Sequence, residues 1–265
     1  MKSMLGGMNT LGGPMGKTDI RRDAIMQALK DKGSIALIDI VKQFGVSEAT
    51  ARRDLEILES EKRCIRTFGG AVLESLKVEV PFFNKMDLLT EEKKEIADKA
   101  LRFIEDGDII GLTGGTTTTF IAKKLNQFKN LTVITNAVNI AYELIGTPGL
   151  QLILTGGVIR TQTFELSGPL ANATLDNLSI RKTFMGCDGV SLSRGMMIYN
   201  ELEAETNRRM MRQSMETYLV ADHSKFTRSS LFVIGEVQEA VGIISDSAIT
   251  PEMKHAFKEA GTPFL

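Results

Sequence analysis

Apolar positions in the first seventy residues recur at helical spacing. Ile25, Met26 and Leu29 give one inward face to a first segment, with Thr18 or Asp19 placed to cap it, so a helix is expected up to about Lys32, ended by Gly33-Ser34. Leu37, Ile40, Val41 and Phe44 predict a second helix over about 36–44, and Gly45 follows where a left-handed residue is wanted. Ala51, Leu55 and Leu58 recur at i, i+4 and i+7, which gives a third helix, 47–60, one narrow apolar stripe. Two short helices joined by a glycine-containing turn predict a helix-turn-helix whose second member enters a groove. Arg63-Cys-Ile-Arg-Thr-Phe-Gly-Gly-Ala-Val72 then reads as two short strands about a basic turn, a wing.

Beyond the wing the period is lost. Residues 73–89 show none, and Pro81 argues against a continuous helix, so this stretch is expected as a linker. Thr90, followed by Glu91 and Glu92, opens a helix whose acidic first turn suits the helix dipole and whose apolar face is Ile96, Ala97, Ala100, Leu101 and Ile104. From there short apolar runs alternate with amphipathic ones. Strands are expected at 109–112, 131–135, 150–154, 182–187, 217–221 and 241–245. Helices are expected between them at about 117–125, 136–144, 169–177, 201–215 and 251–260. The alternation predicts a mostly parallel sheet with helices on both faces, and ligands of such sheets gather beyond the carboxyl ends of the strands. The fold class is therefore α/β: a winged helix-turn-helix over 18–72, the linker 73–89, and an α/β domain over 90–265. Residues 1–17, rich in Gly and Met, are expected as a disordered extension outside the fold.

Composition narrows the chemistry. A length of 265 residues suits two domains, and 43% hydrophobic with 25% charged residues suits ordinary globular cores. The net charge of −1 provides no global field for a polyanion, and residues 17–70 carry eleven Lys/Arg against nine Asp/Glu. Nucleic-acid binding must come from where charges point. Cys64 and Cys187 fit no metal or disulfide framework, which points to a reducing cytoplasm. No apolar run approaches the roughly 18 residues that would span a bilayer, so no membrane partner is expected. His223 and His255 are too sparse for a metal site, no nucleophile–base pair is evident, and neither cofactor nor metal is expected.

Two groups of residues can carry function. On the third helix Arg53 projects opposite the apolar stripe with Arg52 and Thr50 on its flanks, and Ser47 stands at the N-cap. Two guanidinium groups and a hydroxyl suit a groove lined with phosphates and base edges. The same pair also suits a solvated surface; the turn at Gly45 and the basic wing, with Arg63 and Arg66 within reach of backbone phosphate, favour the groove. The second group lies at strand ends. Thr113-Gly-Gly-Thr-Thr-Thr-Thr119 opens a helix with backbone N–H groups and hydroxyls that can bind phosphate oxygens, without the lysine of a P-loop. Thr135-Asn136, Thr155-Gly-Gly-Val-Ile-Arg160, Gly186-Cys-Asp-Gly189, Glu203 and Asp222-His-Ser-Lys225 occupy comparable places. Any one of these is an ordinary turn. Converging on one sheet edge, they would form a pocket suited to a phosphorylated sugar or polyol.

The sequence resembles the DeoR family of bacterial transcriptional repressors. Val46-Ser-Glu-Ala-Thr-Ala-Arg-Arg-Asp-Leu55 with Arg66-Thr-Phe-Gly-Gly-Ala71 resembles the family's helix-turn-helix signature. Gly114-Gly-Thr-Thr-Thr118, Thr135-Asn136, Gly156-Gly157, Gly168-Pro169, Asp188-Gly189, Glu203-Ala204 and Ser224-Lys225-Phe226 resemble its sensor domain. The resemblance implies a sensor domain related in fold to ribose-5-phosphate isomerase and a response to phosphorylated sugars or related metabolites. It implies DNA contacts from Ser47, Glu48, Thr50, Arg52, Arg53, Arg63 and Arg66 to a double-stranded operator. The effector would meet Gly114, Gly115, Thr116, Thr117, Thr118, Asn136, Gly156, Gly157, Arg160, Asp188, Gly189, Glu203 and Lys225. A homo-oligomer, dimer or tetramer, is expected, since a dimer places two recognition helices about 34 Å apart. Two positions depart from the pattern: Thr113 stands where the family often has an aspartate, and Ala51 where it usually has isoleucine. The rival reading is a sugar-phosphate isomerase with Asp188 as base and Lys225 stabilising the enediolate. It leaves the helix-turn-helix unexplained and lacks the lysine-then-glycine run of such isomerases, so no enzymatic activity is expected.

Overall fold

The structure is a computed structural model that describes residues 17–32, 34–61, 63–67, 70–73, 79 and 81–265. Expectations for the N-terminal extension up to residue 16, for Gly33, for Phe68-Gly69 of the wing turn and for 74–78 and 80 of the linker lie outside the described residues. The chain forms two compact units that meet in sequence between Glu74 and Ser75.

The first unit runs α1 (Lys17–Lys32), β1 (Ser34–Ala36), α2 (Leu37–Phe44), α3 (Glu48–Ser60), β2 (Cys64–Thr67) and β3 (Gly70–Leu73). The apolar stripes converge: Ile25 and Leu29 of α1, Ile40 of α2, and Ala51, Leu55 and Leu58 of α3 are fully buried together. Gly45 adopts φ 62°, ψ 33° and its N–H reaches Val41 O, a conformation that costs a side-chain-bearing residue about 1 kcal/mol or more. The strands form an antiparallel sheet in the order β1-β3-β2. Residue 36, expected to begin a helix, instead ends β1 with an extended backbone; three residues leave no readable period.

The second unit begins with α4 (Phe82–Met86), α5 (Thr90–Ala100), β4 (Ile109–Leu112), α6 (Thr116–Ala122), β5 (Leu131–Thr135), α7 (Val138–Leu144) and β6 (Leu150–Leu154). The hairpin β7 (Val158–Arg160) and β8 (Glu165–Ser167) follows, then α8 (Pro169–Leu175) and β9 (Ile180–Met185). After β10 (Gly189–Ser191) and β11 (Gly195–Ile198) come α9 (Glu201–Arg212), β12 (Ser214–Val220), β13 (Phe232–Gly235), β14 (Gly242–Ile244) and α10 (Pro251–Glu259). The six strands expected from the sequence form one parallel sheet in the order β14-β12-β9-β4-β5-β6. Alternate side chains feed two cores, as a pleated strand requires. Phe184, Val220 and Ile244 pack with Ile96, Ile121 and Leu125, whereas Met185, Leu219 and Ile243 pack with Met196, Ile234 and Phe257.

The segment expected as a linker is corrected over its described C-terminal part. Phe82–Met86 is a helix with Phe82 buried, and Phe82 N–H donates to Gln162 O. Pro81 precedes this helix rather than preventing it, since a fixed φ and a missing donor cost nothing at a helix start. Phe82 and Phe83 meet Phe164 edge-on at 5.5 and 5.3 Å between ring centres, which seats α4 on the β7–β8 hairpin. The buried Lys93 ammonium donates to the carbonyls of Lys85 and Leu88 and closes the end of α4.

Candidate functional site

The N-terminus of α3 is organised by its cap. Ser47 Oγ accepts the Thr50 N–H at 3.2 Å and lies 2.9 Å from Thr50 Oγ1. Arg52 and Arg53 are exposed on the same helix. Arg52 is 3.6 Å from Glu48, one turn back, and Arg53 has no ion pair among the described residues. The next residue faces the other way: Asp54, 2% exposed, accepts from Arg21 Nε at 2.6 Å and Arg22 Nε at 3.2 Å. The motif thus divides its labour, with Arg52 and Arg53 presented outward and Asp54 clamping α3 to α1. The wing arginines are held laterally, Arg63 by Asp23 and Glu61, and Arg66 by Glu56 and Glu59. Exposed pairs of this kind contribute little to stability, so a phosphate can replace the carboxylates.

The second constellation gathers at the carboxyl ends of the parallel strands. Gly114 N–H donates to Asn136 Oδ1 at 3.1 Å, and Asn136 Nδ2 donates to Glu165 Oε2 at 3.2 Å. Thr113 Oγ1 accepts the Gly186 N–H at 3.0 Å, which ties the end of β4 to the end of β9. Thr118 and Thr119 donate their hydroxyls to Gly115 O, whereas the buried Thr116 and Thr117 hydroxyls make no hydrogen bond among the described residues. Asp188 accepts from Lys85 Nζ at 2.7 Å and from Tyr199 N–H at 3.2 Å. Arg160 Nε donates to Glu203 Oε1 at 2.8 Å, its second arm pairs with the buried Glu79, and Thr163 donates to the same Glu203 oxygen at 2.6 Å. Lys225 makes no ion pair among the described residues, yet its charge acts on Asp188.

Five of the thirteen expected effector residues, Gly114, Asn136, Arg160, Asp188 and Glu203, belong to a network of three hydrogen-bonded groups that act on one another by charge, with differences in role. Arg160, expected to meet a ligand's negative group, is clasped by two of the protein's own carboxylates. Gly157, at φ 133°, packs against Ser167, where a Cβ would come within 2.9 Å of its carbonyl oxygen. A Cβ on Gly189 would lie 2.4 Å from Arg228 O, and Gly156 is exposed with open space beside it. Gly157 and Gly189 thus serve the path of the chain, whereas nothing in the structure requires glycine at 156. Sequence reading missed Glu79, Lys85, Thr163 and Glu165. Lys85 and Glu79 lay in the stretch without a period, while Glu165 carried one faint signal, an acid within the otherwise apolar and hydroxylated run Thr163-Phe-Glu-Leu-Ser167. A separate open cleft of about 470 Å³ between α9 and β13, lined by Glu205, Arg208, Arg209 and Arg212 among others, includes none of the network.

The network is electrostatically divided. Burial, reinforced by the nearby Glu203 carboxylate, pushes the Glu165 carboxyl well above the usual glutamate range. Burial also raises Glu203, against the hydrogen bond from Thr163 and the charge of Arg160. Asp188 goes the other way: burial opposes its charge, but Lys85 and Lys225 outweigh it and hold the carboxyl below its ordinary value. Burial lowers the Lys93 ammonium to about 8, and raises the Cys187 thiol to about 12. The two acids, Glu165 and Asp188, are thus shifted in opposite directions.

A capped helix presenting two arginines within a winged helix-turn-helix, followed by an α/β unit with a polar cluster at its strand ends, defines a DNA-binding regulator with a sensing domain. The chain belongs to the DeoR family: the DeoR-like helix-turn-helix domain matches residues 21–76 and the DeoR C terminal sensor domain matches residues 89–247. The Uncharacterized HTH-type transcriptional regulator YulB of Bacillus subtilis (strain 168) is 34% identical over 90% of this chain and 93% of its own. The Glycerol-3-phosphate regulon repressor of Escherichia coli (strain K12) is 31% identical over 86% and 90%. A solved ribose-5-phosphate isomerase in complex with phospho-erythronic acid aligns with 52% of this chain and 54% of that one, at 19% identity and a TM-score of 0.40. The curated relatives are transcriptional regulators, and the protein is a regulator rather than an isomerase. Among the described residues no helix is long and apolar enough to cross a membrane.

Proposed function

We propose that the protein represses a sugar or polyol catabolic operon in the cytoplasm, and that a phosphorylated sugar or related metabolite bound in its C-terminal unit releases it from the operator. One observation carries the effector assignment. Lys85 and Arg160 are matched by carboxylates, whereas Lys225 bears a charge with no paired carboxylate among the described residues. The unshared hydroxyls of Thr116 and Thr117 supply further phosphate donors. Asp188, held ionised, suits the acceptance of sugar hydroxyls. At the other end Ser47, Glu48, Thr50, Arg52 and Arg53 meet the major groove, and Arg63 and Arg66 exchange carboxylates for backbone phosphate. A homo-oligomer, dimer or tetramer, sets two such helices on successive turns of a double-stranded operator.

The effector end is tested by thermal shift with a panel of phosphorylated sugars and polyols, repeated with Lys225→Ala. At least one compound is expected to raise the melting temperature of the natural protein, and Lys225→Ala to abolish that rise. A panel without any shift overturns the phosphate site. At the operator end, Arg53→Ala is expected to weaken binding at least tenfold while the effector-induced shift persists; unchanged operator affinity removes α3 from the reading role.

A further inference from the structure

Glu165 reaches from β8 onto the Gly114 loop. A methyl group at position 114 would lie 2.1 Å from the Glu165 Cδ and 2.4 Å from Oε1, so the carboxyl rests against that backbone and only glycine admits it. Asn136 fixes its orientation: Oε2 takes the Asn136 Nδ2 hydrogen bond, and Asn136 is itself held by Gly114 N–H and Leu166 O. Glu165 is 3% exposed, yet Oε1 makes no hydrogen bond among the described residues. Although the residue as a whole is buried, Oε1 is not sealed off, so an unbonded carboxyl oxygen opens at the Gly-Gly-Thr loop where a ligand can meet it. The groups that face it are Glu203 from α9, Asp188 from the turn after β9, Lys85 from α4 and Asn136 after β5. Two acids against one base favour a proton on Glu165. A neutral carboxyl both donates and accepts, so it recognises a hydroxyl better than a phosphate.

We propose that Glu165 determines which ligand the sensor accepts, by hydrogen bonding through Oε1 to a hydroxyl of a phosphorylated sugar or polyol lying over the Gly114 loop. The inference rests on the phosphate-site reading above and adds the part of the ligand that reading leaves unassigned.

The test uses the full chain and calorimetric titration with inorganic phosphate and with a panel that pairs sugar phosphates with their deoxy analogues, such as ribose 5-phosphate with 2-deoxyribose 5-phosphate and glucose 6-phosphate with 2-deoxyglucose 6-phosphate. Glu165→Ala is expected to leave the inorganic phosphate affinity within about threefold and to reorder the panel, with the preferred compound losing at least tenfold. Glu165→Gln keeps a donor and an acceptor in the same shape. It is expected to preserve the order, and to remove the loss of affinity expected of the natural protein as pH rises and Glu165 ionises. If both variants bind every compound as the natural protein does, or if Glu165→Ala loses inorganic phosphate as strongly as the sugar phosphates, Glu165 is not a selector and the phosphate site still stands. If the natural protein binds neither inorganic phosphate nor any sugar phosphate, the phosphate site falls and this inference with it.

Discussion

Asp54 and Arg53 are neighbours with opposite duties, and substitution separates them. Asp54 is buried while Arg21 and Arg22 stay partly exposed, so removing it costs its charge-assisted hydrogen bonds, on the order of 2 kcal/mol. Asp54→Ala, which strips Arg21 and Arg22 of their shared acceptor, is therefore expected to lower the N-terminal unit's unfolding free energy by about that amount in urea titration. Arg53→Ala is expected to change it by about 0.5 kcal/mol or less, as exposed substitutions do. A second residue-scale prediction concerns pH. Glu165 keeps its proton to higher pH in the folded state than in the unfolded chain, and Glu203 shifts the same way. Their contribution is complete below the ordinary glutamate range and is lost as pH rises toward their raised values, at up to about 1.4 kcal/mol per pH unit per proton. Glu165→Gln is expected to flatten that decline in the C-terminal unit's melting temperature; an unchanged slope would show that Glu165 titrates normally. At this scale legibility followed sequence distance. Arg52, Arg53 and the Ser47 cap read directly from one helical turn, whereas the meeting of Glu165 with Gly114 depends on a hairpin folding back across the sheet edge.

Elements were legible where a period had room to show. The six strands of the parallel sheet are apolar runs of three to seven residues bounded by turns, and all six were placed to within a few residues. Strands β1, β7 and β8 span three residues each and α4 five, too few to display alternation or a helical face. What holds them is tertiary: the Phe82, Phe83 and Phe164 contacts, and pairing to neighbours distant in sequence. Caps carry their own test. Ser47→Ala should cost about 1 kcal/mol of N-terminal unit stability. Ser47→Asp should keep the helix, since an aspartate caps and suits the dipole, yet weaken operator binding by setting a negative charge against phosphate. Gel-shift titration beside thermal melting distinguishes the two effects. Ser47→Asp with undiminished operator affinity would place this helix end away from the DNA backbone.

At the scale of the whole molecule, effector control requires that occupancy of the C-terminal unit alter what the N-terminal unit does. Moving a two-state population from one part in a hundred to ninety-nine takes about 5.5 kcal/mol of differential affinity, so the ligand must break or form several interactions in one state only. Among the described residues that follow the join at Glu74/Ser75, Glu79 pairs with Arg160 and Lys85 with Asp188, the latter at 2.7 Å. Under the proposed reading, a ligand that engages Asp188 competes with its tie to Lys85. Lys85→Met keeps the length of the side chain and removes its charge. It is expected to lower the melting temperature of the C-terminal unit, because among the described residues Asp188 then keeps the charge of Lys225 and the Tyr199 N–H, while the effector still raises that temperature and the unliganded protein still binds its operator. What should fall, by tenfold or more, is the effector's power to release the operator, read as the ratio of operator affinities with and without saturating effector. A Lys85→Met protein that releases DNA as the natural protein does would exclude this tie from the signal.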